Sequence, residues 1–97
     1  MTDRRLEDEA QRGEWAKELL SNTMLQAAFL DLRKQYFEAF VAADGKDDLG
    51  RFRLQQACVV LEKVERHLRD IIQNGSLAKE EIDILRRGGE RKRFGIV

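Results

Sequence analysis

TMLQAAFLDLRKQYFEAFVAA, residues 23–43, decides the fold. Its apolar residues Leu25, Ala28, Phe29, Leu32, Tyr36, Ala39, Phe40 and Ala43 return every three or four positions, the repeat of an α-helix that buries one face. Met24, Ala27, Leu30, Phe37 and Val41 fall beside that stripe, so the helix carries more apolar surface than one neighbouring helix can cover. After Asp44-Gly45-Lys46-Asp47-Asp48, a second stripe follows at Leu54, Ala57, Leu61, Val64, Leu68 and Ile71. The pattern predicts an all-α fold: an antiparallel hairpin of two long helices over residues 22–75, with a weaker N-terminal helix and a short C-terminal one.

Punctuation along the chain sets the expected boundaries of this single helical domain. Ser21, Asn22 and Thr23 are candidate N-caps, and Thr23 with Gln26 fits a capping box. Asp44-Gly45 suits a left-handed turn ending the first long helix, and Asp47 or Asp48 can cap the second. Asn74-Gly75 reads as a stop, Ser76 as the cap of a short helix over 76–87, and Gly88-Gly89 as a break before a basic tail, 88–97. Residues 1–20 form the weak helix, with Leu6, Ala10, Ala16, Leu19 and Leu20 as a thin stripe. Gly13 in its middle costs about 1 kcal/mol relative to Ala, so the segment is expected to fray or dock loosely. Trp15 is expected to anchor it locally, a ligand contact and an intersubunit contact being the other readings.

The chain has 97 residues, and its 18 basic and 18 acidic side chains cancel. That balance argues against a surface built throughout for nucleic acid or acidic membranes. No apolar run approaches the roughly 20 residues of a membrane span, and the first residues are charged rather than signal-like, which predicts a cytoplasmic, membrane-free protein.

No constellation points to catalysis, and no cofactor or metal is implied. Cys58 and His67, the only thiol and imidazole, stand nine residues apart on one predicted helix. At about 100° and 1.5 Å per residue they occupy opposite faces about 13 Å apart, too far for a nucleophile and its base. One of each also falls short of a zinc ligand set. The Asp44–Asp48 loop lacks the Gly and the bidentate Glu of a calcium loop, since Leu49 and Gln55 stand at those places. Glu62, Glu65, Glu80, Glu81 and Asp83 fall on helix faces expected to be solvated.

Two sets of contacts are expected instead. Met24, Leu30, Phe37 and Val41 are candidate oligomer contacts. Arg86, Arg87, Arg91, Lys92, Arg93 and Phe94 are candidate contacts for nucleic acid or a protein partner, because a basic segment with an aromatic tip can hold phosphates and stack on a base. The same tail also fits a docking arm built on Phe94, Ile96 and Val97, or a solubilising end.

Residues 19–94 resemble a set of small all-helical proteins encoded by tailed bacteriophages and prophages. The resemblance lies in Asn22-Thr23-Met24-Leu25-Gln26-Ala27-Ala28-Phe29, in Tyr36 with Glu38-Ala39, in Gly50-Arg51-Phe52-Arg53-Leu54, and in Val64-Glu65-Arg66-His67-Leu68 through Gly75-Ser76-Leu77-Ala78. Thr23 departs from it, at a first helical position where Pro is expected. The resemblance implies a non-enzymatic phage accessory serving virion assembly or genome packaging, located in the host cytoplasm or on the virion, with itself or another phage protein as partner. Small terminase subunits also use helical hairpins but usually add a DNA-binding helix-turn-helix, for which this chain has no spare segment. A nucleic-acid-binding accessory working through the basic tail is the competing expectation.

Overall fold

The computed structural model describes the backbone of residues 4–93 and the side chains of residues 4–88. Phe94, Ile96 and Val97 lie outside the described residues, as do the side chains of Arg91, Lys92 and Arg93. The described residues are all-helical: α1 spans Arg4–Ser21, α2 Thr23–Ala42 and α3 Asp48–Arg93. Two expected breaks are absent. Neither Asn74-Gly75 nor Gly88-Gly89 interrupts α3, which runs for 46 residues in place of a long helix, a short one and a tail.

At the other boundaries Asn22 and Asp47, each among the expected caps, are the ones used, whereas the Thr23–Gln26 box and a glycine stop at Gly45 are not. Asn22 alone separates α1 from α2, and its Oδ1 accepts the Leu25 N–H at 3.0 Å as the N-cap. The Thr23–Gln26 box does not form, because the Gln26 side chain donates instead to the Leu20 carbonyl at 2.6 Å. α2 ends without a glycine: Ala43 is the C-cap, in extended backbone. Asp47 caps α3 by accepting the Gly50 N–H at 2.9 Å. Gly50 is suited to this place, since a Cβ there would sit 2.3 Å from the Asp47 carboxylate.

The chain forms two compact units, Met1–Glu18 with Arg69–Val97, and Leu19–Leu68. In the first, α1 runs antiparallel to the later part of α3. Leu6 packs on Ala78 and Ile82 with Ala10 beside them, while Gly13 meets Gly75. This explains the missing stop. A Cβ on Gly75 would lie 2.7 Å from the Gly13 Cα and 3.0 Å from the Glu9 carbonyl, and one on Gly13 would lie 2.9 Å from the Gly75 Cα. Both glycines are there for close backbone approach, a role that helical φ and ψ satisfy as well as any turn. α1 docks more closely than its thin stripe suggests: Leu6, Gly13 and Ala16 are buried, and Lys79 pairs with Glu14 across the helices. Trp15 is not the local anchor, being more than half exposed.

In the second unit, α2 runs antiparallel to the early part of α3, since Arg33 meets Glu65 while Phe40 meets Arg51. The α2 seam is Leu25, Phe29, Leu32, Tyr36 and Ala43, all half-buried, whereas Ala28, Ala39 and Phe40 are exposed. On α3 it includes Leu54, Cys58, Leu61, Glu65 and Leu68, stepping four and three. Val64, expected in the seam, is exposed, and Glu65, expected in solvent, is buried. A one-residue rotation separates the two readings. The Arg33 guanidinium reaching across from α2 makes a carboxylate acceptable there.

Candidate interaction surface

α2 holds no buried residue. Its seam covers a strip of side chains only to half depth, and the surplus read in the sequence stays in solvent. Leu30, Phe37 and Val41 are each about two-thirds exposed, and Met24 more so. At about 100° per residue, Leu30, Phe37 and Val41 share one stripe, whereas Met24, six residues before Leu30, lies about 120° around the helix. Three of the four expected oligomer contacts thus form one surface, and the fourth faces elsewhere.

Where α2 approaches its end, Tyr36, Phe37 and Phe40 face Leu54, Gln55 and Cys58 of α3 across a groove of about 380 Å³. Three aromatic side chains within five positions were the sequence signal for this groove, which pattern reading assigned to seam and flank separately. Arg51 closes over the Phe40 ring at 5.6 Å from its centroid, within range of a cation–π contact. Its Nε is buried without a hydrogen-bond partner. Farther along, the Glu65 hydrogen bond raises the pKa of the Arg33 guanidinium above its ordinary value, burial opposing the shift.

The other candidates do not converge. Cys58 lies half-buried in the groove wall and His67 is exposed. Among the described residues no group of three His, Cys, Asp or Glu side chains could hold a metal ion. Arg86 and Arg87 are exposed on α3, whose helix carries on through Arg91, Lys92 and Arg93 rather than giving way to an extended tail. No described helix is long and apolar enough to cross a membrane. No known protein family, curated protein or solved structure matches the chain.

Proposed function

We propose that this protein is a non-enzymatic helical interaction protein that self-associates through the outer face of its Leu19–Leu68 unit. The observation that carries the reading is the imbalance of that unit. Ten of the fourteen large apolar side chains exposed among the described residues belong to it, and α2 buries none of its own. At roughly 100 Å² each they leave on the order of 1,000 Å² of apolar surface in water, spread over several faces, of which Leu30, Phe37 and Val41 form one continuous stripe. A standard interface takes about 800 Å² from each partner. The resemblance to phage accessory proteins makes virion assembly or genome packaging the setting, with the cytoplasm of an infected host as the place of synthesis.

Sedimentation at tens of micromolar tests the association. The wild type is expected to be oligomeric, and Leu30→Ser/Phe37→Ser/Val41→Ser monomeric with its helical circular dichroism intact; a wild type that sediments as a strict monomer overturns the proposal. Presence of the chain in purified particles, or association with a terminase, portal or capsid protein, tests the setting.

The alternative is nucleic-acid binding through Arg86, Arg87, Arg91, Lys92 and Arg93. It is favoured by the continuation of α3 through Arg93, which keeps these basic positions on one helix. Binding of this kind falls steeply between about 50 and 200 mM salt and disappears on removal of residues 88–97.

A further inference from the structure

The outer stripe of α2 is interrupted by one charge. Leu30, Lys34, Phe37 and Val41 step by four, three and four residues, the spacing of helix-to-helix knobs, with Lys34 inside the apolar run. Glu38 lies one turn after Lys34 on the edge of the same stripe. Both are exposed, and neither makes an ion pair among the described residues.

We propose that the occupant of this stripe is the same stripe of a second copy, laid antiparallel about a two-fold axis level with Gln35 and Tyr36. This names the partner and register for the self-association proposed above and rests on that reading. The charges choose the direction. In a parallel pair every layer joins identical residues, so Lys34 would face the second copy's Lys34 within the apolar seam. In the antiparallel pair Leu30 meets the second copy's Val41, and Lys34 lays its methylenes on the second copy's Phe37, a placement that suits a cation over a ring. The ammonium then reaches the second copy's Glu38, and the two-fold repeats both contacts. The stripe contributes on the order of 400 Å² per copy, half of a standard interface, so the pair is weak and the trans ion pairs count toward it.

Charge exchange between copies tests whether Lys34 and Glu38 meet across the pair, and cysteine pairing tests its direction. Lys34→Glu places Glu against the second copy's Glu38, and Glu38→Lys places Lys against the second copy's Lys34, so each variant alone is expected to associate about tenfold or more weakly than the wild type. An equimolar mixture restores both opposite-charge pairs in trans and is expected to recover association. Within each helix the like-charge pair persists in the mixture, so recovery cannot come from intrahelical repair. A second readout uses a Cys58→Ser background: Leu30→Cys/Val41→Cys is expected to oxidise to a covalent dimer, and Leu30→Cys alone is not. A monomeric wild type overturns this inference together with the proposed function. A wild-type dimer whose two variants gain nothing on mixing, or in which Leu30→Cys alone cross-links, overturns the antiparallel register and leaves self-association standing.

Discussion

α1 and α2 divide between them what is usually found together. α1 is polar, carries a glycine in its middle and still buries Leu6, Gly13 and Ala16, whereas α2, far richer in apolar side chains, buries none. The difference lies in how closely each approaches α3. Opposed glycines at 13 and 75, with Ala10, Ala16 and Ala78 nearby, let backbone meet backbone, and small side chains at such a crossing are enclosed completely. Phe29, Leu32, Tyr36 and Leu61, the larger side chains of the α2–α3 seam, are each only half-buried. Apolar content sets how much surface seeks cover; side-chain size at the crossing sets how much of it one neighbour can provide.

The largest expected effect strikes the tight crossing. Gly75→Leu forces the two backbones apart and is expected to cost about 3 kcal/mol or more in urea denaturation, at the upper end of overpacking. Gly13→Ala sharpens the point, because helix propensity alone would stabilise by about 1 kcal/mol while the missing space opposes it. A net loss of about 1 kcal/mol is expected, and a gain would show that the crossing has room for a methyl group.

Leu6→Ala comes next, at roughly 2–4 kcal/mol, since the side chain is buried against Ala78 and Ile82. Leu61→Ala in the half-buried seam should cost about half as much. Equal losses in the two variants would erase the contrast between the units.

The Arg33–Glu65 pair ranks third. Arg33→Ala takes away the guanidinium facing a buried carboxylate and is expected to cost about 1–2 kcal/mol, reduced from the figure for a fully buried pair because Arg33 is partly exposed. Glu65→Leu, which places an aliphatic side chain in the seam, should be near neutral. If Glu65→Leu proves the more damaging of the two in chemical denaturation, the carboxylate is contributing something other than its contact with Arg33.

Smallest in stability is Phe37→Ser, within about 0.5 kcal/mol for the dissociated chain because two-thirds of the side chain is already in water. Its effect belongs to sedimentation, where association is expected to drop. A stability loss comparable with that of Leu6→Ala would place Phe37 in a core.

Helical class and the surplus of α2 were legible because both depend on periodicity, which sequence displays directly. Errors arose where two readings differ by one position, about 100° of helix: Val64 and Glu65 are neighbours, and the Arg33 side chain that meets Glu65 arrives from 32 residues away. Glycine misled more seriously. Gly75 and Gly13 carry the same local signal as a helix stop and a weak point, and their actual role exists only once the two are opposed across 62 positions of chain. The groove at Tyr36, Phe37 and Phe40 stayed hidden for a related reason, as its far wall is supplied by Leu54, Gln55 and Cys58.

The distance between Gly13 and Gly75 along the chain also orders events during synthesis. At about 5–20 residues per second, α1 leaves the ribosome roughly 3–12 s before the segment that covers it has been made. Leu19–Leu68 is contiguous and can pair as it emerges, with only a short loop to close. Throughout that interval the α1 segment has no covering partner, and half of its 18 residues are charged. The same composition that leaves α1 only a thin apolar stripe keeps it soluble while it waits for its partner.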